Sequence, residues 1–345
     1  MNFMTSHPLQ PYWNLTAAPI QSQALEQALA YGLFAQLQQS ATADQVAERL
    51  GLNAEATAVW LDLLWSMELL VRRVPVQEAA TAQYSTSALA AKYFLAASSE
   101  NCTEAWLYRA RFLTRFASQW GTLLREGFDP AGASREAAPK GSWAQAAREQ
   151  IAQEQRAVTV PAVMRLLDTL PPLPQHGRFL DVGGGPGLVG IALAQRLPDW
   201  HGRVCDQAET ADVAQENILQ AGLAHRMDAV GCDLNHEAID GRYDLIWCSA
   251  VLHFLQHPQE AVTKMVKAIN PGGTLLLAHA EVSDEATLAA RVLPFYGTVA
   301  LRKNYLPQPG DMPRIMREAG LTEIDALGRV EFPMAPVWIY SGRRA

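Results

Sequence analysis

Little in this chain of 345 residues suits a disulfide-stapled, membrane-spanning or nucleic-acid-binding protein. Its four cysteines, Cys102, Cys205, Cys232 and Cys248, form no C-x-x-C pair and show no metal-ligand spacing. That pattern argues for reduced thiols in a cytoplasmic protein and against a structural metal site. Positive charge is scarce: 28 Lys and Arg stand against 35 Asp and Glu, a formal net charge of −7. Phosphate contacts need clustered cations, so nucleic acid is disfavoured as a partner. No apolar run reaches the ~18 residues of a spanning helix. Met1–Trp13 lacks a basic segment followed by an apolar core, so no secretion signal is read there. Repeats and low-complexity segments are also missing. What remains is a chain that is 49% hydrophobic, enough for the cores of two domains in a soluble cytoplasmic protein.

From Gln21 to about Phe94 the signals are helical and local. Leu25, Leu29, Leu33 and Leu37 recur every four residues and predict one apolar helix face. Thr42-Ala43-Asp44-Gln45 reads as a capping box, Gly51 as a stop, and Asn53 as the cap of a helix carrying Val59, Trp60, Leu63, Leu64 and Met67. Leu69–Arg73 and Gln83–Ser85 read as two strands around a loop with Pro75. Three helices and a two-stranded wing make a winged-helix domain. Such domains bind DNA, yet through residue 100 only four basic residues face eight acidic ones. The helix that would read bases offers Trp60, Asp62, Trp65 and Glu68, with no cation for a phosphate. A dimerisation module fits its leucines and aromatics better than a regulator does.

A second helical stretch covers residues 101–127, and Phe128–Gly141 reads as a connector. Trp143–Leu170 is helical again and ends at Pro171-Pro172-Leu173-Pro174. Beyond it, Phe179–Val182 is an apolar strand that runs into Gly183-Gly184-Gly185-Pro186-Gly187 and then a helical pattern from Leu188. Strand, glycine turn and helix open a doubly wound α/β domain, whose ligand sits at the carboxyl ends of the strands. The dinucleotide fingerprint G-x-G-x-x-G needs a third glycine where Leu188 stands, which disfavours a nicotinamide oxidoreductase. Further candidate strands are Arg203–Asp206, Met227–Asp233, Tyr243–Ala250 and Thr274–Glu281, with a final antiparallel pair at Ile324–Leu327 and Val337–Ser341. The domains expected are 1–127, a connector with substrate-side helices at 128–174, and 175–345.

The turn's actual pattern, G-x-G-x-G with Asp181 two residues ahead, resembles motif I of S-adenosylmethionine (SAM)-dependent methyltransferases. Leu252-His253 after the fourth strand, Tyr84-Ser85-Thr86, Pro271-Gly272-Gly273 and Glu318-Ala319-Gly320-Leu321 extend the likeness. Together, from about Gln21 onward, the chain resembles the SAM-dependent O-methyltransferase family of plant phenolic and bacterial natural-product enzymes. The resemblance implies a Rossmann-like α/β domain with a mostly parallel seven-stranded sheet, and a mainly helical winged-helix domain that forms a homodimer. It implies that Gly183, Gly184, Gly185 and Gly187 wrap the methionine part of SAM, with Asp181 ordering the loop. Asp206, with Gln207 beside it, ends the second strand and is placed for the ribose hydroxyls. Asp233 and Leu234 are placed for the adenine amino group and face, and Ser249 ends the fourth strand.

In the family a His in the L-H-D-W motif is the general base, which makes His253 the candidate here. Methyl transfer from a sulfonium is one in-line displacement, so the protein must supply alignment and a place for the proton. Alignment is worth ~7–11 kcal/mol and a positioned base typically 10²–10⁴-fold. The chain departs from the family pattern, however. Phe254-Leu255 replaces Asp-Trp, His279 stands where the family often has a Glu, and Glu281 lies two residues on. The family's second Glu falls near Pro309. His279 is therefore a candidate partner of His253, and Glu281 a substitute if the strand is offset.

The stretches that enclose the acceptor in the family contain Trp106, Arg109, Phe112, Met164, Phe295, Tyr296 and Tyr305 here. As a set they favour a small aromatic or heteroaromatic molecule. Tyr12 and Trp13 are expected in an N-terminal arm that crosses to the partner. The reading is O-methylation of a secondary metabolite without a metal. C- or N-methylation, or another SAM-dependent step, is the alternative on the same fold.

Overall fold

The computed structural model describes residues 7–74, 81–128 and 142–345. The loop expected at Pro75 and most of the connector after Phe128 lie outside those residues. The chain divides into two compact units, residues 1–110 and 111–345.

In the first unit a helix spans Gln10–Ala30, and Gly32 at φ 61° then turns the chain into the short helix Leu33–Gln36. The four-residue leucine spacing therefore does not mark one continuous helix. Leu33 and Leu37 are still fully buried, because the turn folds them back onto the same core as Leu25. Tyr12 and Trp13 belong to the long helix and are exposed. The Thr42 capping box forms in both directions, and the helix Ala43–Leu50 ends at Gly51 in the left-handed conformation. Asn53 caps the helix Ala54–Ser66 through Ala56 N–H. The wing has three strands rather than two. Residues Ala41–Thr42 (β1) join Leu70–Arg73 (β2) and Gln83–Thr86 (β3) in the order β1-β3-β2.

The second unit is built on a seven-stranded sheet. Its strands are Gly177–Val182 (β4), Trp200–Asp206 (β5), Met227–Gly231 (β6), Tyr243–Ser249 (β7), Ile269–His279 (β8), Leu321–Val330 (β9) and Val337–Arg344 (β10). They lie in the order β6-β5-β4-β7-β8-β10-β9, with β10 antiparallel to both its neighbours and the other pairs parallel. Successive side chains leave opposite faces of a strand, and both faces are covered at the centre of the sheet, which is why β4, β7 and β8 contain unbroken apolar runs. Leu180, Val182, Ile246, Cys248, Leu275 and Leu277 pack with helices Pro258–Ala268 and Asp311–Glu318. Phe179, Val204, Leu245, Trp247 and Leu276 pack on the other side with helices Val160–Leu167, Leu188–Arg196 and Ala208–Gln220. β8 ends at His279, so Glu281 lies past the strand that was expected to contain it.

The connection after β4 runs outward to β5 and β6, and the chain then crosses back to β7 on the other flank of β4. That reversal opens a crevice above the carboxyl ends of β4 and β7, where ligands bind in such sheets.

Candidate active site

The glycine turn after β4 and the segment after β7 meet at this crevice. Gly183, Gly185 and Gly187 have φ of 63°, 58° and 76°. Gly183 has no room for a side chain either: a Cβ there would stand 2.3 Å from Val251 Cγ2. Val251 thus seals the turn, two residues ahead of His253.

The N–H groups of Gly183, Gly185 and Gly187 are spent within the chain. The N–H groups of Gly183, Gly187 and Gly185 donate to Cys205 O (2.7 Å), Gly184 O (3.0 Å) and Asp206 Oδ2 (2.8 Å). Those of Leu188 and Gly190 donate to Gln155 Oε1 (3.1 Å) and Asp181 Oδ2 (2.9 Å). A pyrophosphate-binding turn would aim such groups at phosphate oxygens. Here two carboxyl groups accept such donors, and that of Asp206, at the end of β5, suits a ligand carrying hydroxyl and cationic groups. SAM, with an ammonium, a sulfonium and a ribose, meets that requirement.

Asp181 is 2% exposed beneath the turn, and burial pushes its carboxyl up to about 7 against the opposing pull of the Gly190 N–H. Asp206 is also pushed up by burial, offset by N–H donors from Gly185 and Gln207. Gln207 stands just before the helix Ala208–Gln220 and is exposed. From that helix Asn217 Nδ2 donates to Pro186 O at 2.8 Å, which steadies the turn from a second side. Cys232 N–H donates to Asp206 O at 2.8 Å and ties the ends of β5 and β6. Asp233 is exposed, and its carboxylate already holds His236 Nδ1 (2.7 Å) and Asn235 N–H (2.9 Å), which keep it below its ordinary range. Leu234 is buried in the core beside it, and Ser249 is half-buried at the end of β7.

After β7 the chain takes a left-handed step at Ala250 (φ 55°), an uncommon conformation for a residue with a side chain. It then makes a single turn over Leu252–Phe254 that presents His253. His253 Nδ1 and His279 Nε2 are 3.0 Å apart, and His279 Nδ1 lies 2.7 Å from Ala280 O. A carbonyl only accepts, so His279 Nδ1 carries a hydrogen. Burial lowers the His279 pKa to about 4, so the ring is neutral near pH 7 and its Nε2 bears a lone pair. His253 must then donate from Nδ1. One backbone carbonyl thus sets the direction of the hydrogen bond between the two rings.

Aromatic rings surround the pair. Phe254 lies 3.9 Å from the His253 ring centroid, and Tyr296 lies 5.7 Å from His253 and 6.2 Å from His279. Trp143, which the sequence reading did not select, packs edge-on against Phe254 at 5.0 Å. Glu281 is 3% exposed, and burial pushes its carboxyl up to about 7, with Tyr340 as hydrogen-bond partner. The hydroxyl of Tyr305 and Oε1 of Glu281 are both buried without a hydrogen-bond partner among the described residues. Phe112 lies under the Arg302 guanidinium at 6.0 Å, Met164 packs on the core, and Phe295 is half-buried on the helix Ala286–Leu301. Trp106 packs on the core of the first unit, where Arg109 lies over the Tyr108 ring at 5.7 Å. Gln155 was also missed; nothing in its local sequence marks it, since its partners are backbone atoms of the turn 29 and 33 residues on.

Residues 13–96 match the O-methyltransferase dimerisation domain, and residues 180–275 match a methyltransferase domain. The N,N-dimethyltransferase OxyT of Streptomyces rimosus is 29% identical over 299 residues, 82% of this chain and 83% of that protein. The 3-hydroxy-5-methyl-1-naphthoate 3-O-methyltransferase of Streptomyces sahachiroi is 30% identical over 110 residues, 31% of this chain and 32% of that one. Human N-acetylserotonin methyltransferase, solved in complex with SAM, superimposes with a TM-score of 0.77 at 16% identity over 100% of both chains.

Proposed function

This chain belongs to the SAM-dependent O-methyltransferase family, and from that premise we propose that it methylates a hydroxyl of a small aromatic or heteroaromatic metabolite, with His253 as general base. The observation that carries the assignment is the 3.0 Å contact from His253 Nδ1 to His279 Nε2, at the strand ends beside the glycine turn. Bound SAM supplies a methyl group on a positively charged sulfur. Gly183–Gly187 and Asp206 would hold its amino-acid and ribose parts, and Asp233 and Leu234, which follow β6, would meet the base. His253 Nε2 takes the hydroxyl proton as the acceptor oxygen attacks. His279 keeps the base in the required tautomer and orients the ring. Phe254, Tyr296 and Trp143 supply the apolar walls that a flat acceptor stacks on and that exclude water. The first unit supplies the homodimer contact, in keeping with the domain that residues 13–96 match.

N-methylation is the second reading, favoured by the likeness to OxyT along most of both chains. It uses the same crevice and asks His253 to accept a proton from an amine.

Calorimetry with SAM, followed by turnover of a hydroxyarene that the wild type methylates, tests the base. His253→Ala is expected to lower turnover about 10²–10⁴-fold and leave SAM affinity within twofold. Unchanged turnover removes His253 from the reaction. Product mass and NMR then show whether oxygen or nitrogen carries the methyl group.

A further inference from the structure

The helical segment that leads toward β4 is wound unevenly. After Ser142–Ala146, two of its turns are π-turns, Ala147–Ile151 and Gln155–Thr159, before regular winding resumes at Val160–Leu167. A π-turn widens the helix by one residue and re-aims the side chains on it, and such turns gather at functional sites. Gln155 opens the second one. Its Nε2 donates to Gly184 O at 2.9 Å, and its Oε1 accepts from Leu188 N–H at 3.1 Å. The orientation of the amide follows from its partners, because a carbonyl only accepts and a peptide N–H only donates.

Both partners are strategic. Gly184 lies inside the glycine turn, and Leu188 is the first residue of the helix Leu188–Arg196, whose N–H has no acceptor within its own helix. One side-chain amide therefore ties together the two sides of the turn. Ile151, one helical turn earlier, covers the same place: a Cβ at Gly185 would meet Ile151 Cγ2 at 3.4 Å and Gln155 Nε2 at 3.5 Å. Farther along, Arg148 pairs with Glu216 on the helix Ala208–Gln220, with the second nitrogen–oxygen contact at 3.0 Å. The π-wound segment is thus held at one end by that helix and grips the turn at the other.

We infer that Gln155 is a positioning residue of the cofactor site, a latch that holds the Gly183–Gly187 turn in the shape that receives the amino-acid end of SAM. This rests on the SAM-binding reading of the turn. The latch touches no reacting atom, so its effect falls on cofactor affinity and reaches turnover only through occupancy.

Binding of S-adenosylhomocysteine, measured by calorimetry on the full chain, tests it. Gln155→Met keeps the length and bulk of the side chain and removes both hydrogen bonds. It is expected to weaken binding about tenfold, or about 1.4 kcal/mol, with little change in ligand-free melting temperature. Gln155→Glu supplies an independent signature. Its carboxylate accepts from Leu188 but opposes the Gly184 carbonyl, so binding at pH 8 falls relative to wild type. Protonation restores the donor, so affinity approaches the wild-type value measured at the same pH as pH falls toward 5. Binding within twofold of wild type for Gln155→Met overturns the latch, and if that variant does not melt cooperatively, a Gln155→Glu deficit independent of pH does so. Failure of the wild type itself to bind S-adenosylhomocysteine overturns the cofactor reading instead.

Discussion

Asp181 carries a cost that reveals its role. A carboxyl sealed under the glycine turn accepts one N–H at 2.9 Å and is otherwise removed from water, so the fold favours its protonated form. Its pKa rises from an ordinary 3.8 in the unfolded chain to about 7 in the fold. The stability this contributes is complete below pH 4 and is lost as pH rises through 7. Asp181→Asn retains an oxygen for Gly190 and does not titrate. Between pH 5 and pH 8 the ligand-free wild type should therefore lose a few kcal/mol of stability relative to Asp181→Asn, read as diverging melting temperatures. A constant gap would mean that Asp181 is ionised inside the fold. The same scale explains how His279 can stand where the family has a carboxylate and still support His253, the proposed base. An acceptor nitrogen fixed by the Ala280 carbonyl orients His253 as a carboxylate would, although it contributes no negative charge to the proton that arrives.

At the scale of elements, the features legible in the sequence were those with local chemistry. Thr42 and Gln45 exchange side-chain and backbone hydrogen bonds at 2.9 and 3.3 Å, as their three-residue spacing implies. Thr42→Ala is expected to lower stability by about 1 kcal/mol, measured by chemical denaturation, and an unchanged midpoint would show the cap to be idle. The central strands β4, β7 and β8 were visible as apolar runs because both faces of the sheet are covered there. Features set by tertiary structure were hidden. The break at Gly32 escapes a reading by leucine spacing, since both helices on either side bury their leucines in one core. Ala41–Thr42 is too short to announce itself as a strand and forms only by pairing with β3. The π-turns leave no mark in composition, so the aim of Gln155 at the turn emerges only when the chain is folded. Cys205 and Cys232, distant in sequence, likewise come together at neighbouring strand ends.

At the scale of the whole molecule, apolar surface is distributed unequally. Among the described residues, twelve of the eighteen exposed large hydrophobics belong to residues 1–110. Scattered apolar residues are ordinary on a surface, but their concentration on one unit marks an association site. Trp13 and Ile20, 65% and 64% exposed, are seven residues apart on the helix Gln10–Ala30 and so share one face. Because residues 13–96 match a dimerisation domain, a second copy of the chain is the expected occupant of this face. A symmetric interface places each residue of one copy opposite the same patch of the other, so a single introduced charge acts twice. Trp13→Glu with Ile20→Glu is therefore expected to shift the protein from dimer to monomer in sedimentation velocity at micromolar concentration. Neither side chain belongs to the buried core, so the unit should keep its helical circular dichroism. A dimer that persists with both charges in place would move the interface off this helix, to the face that carries Val59 and Trp65.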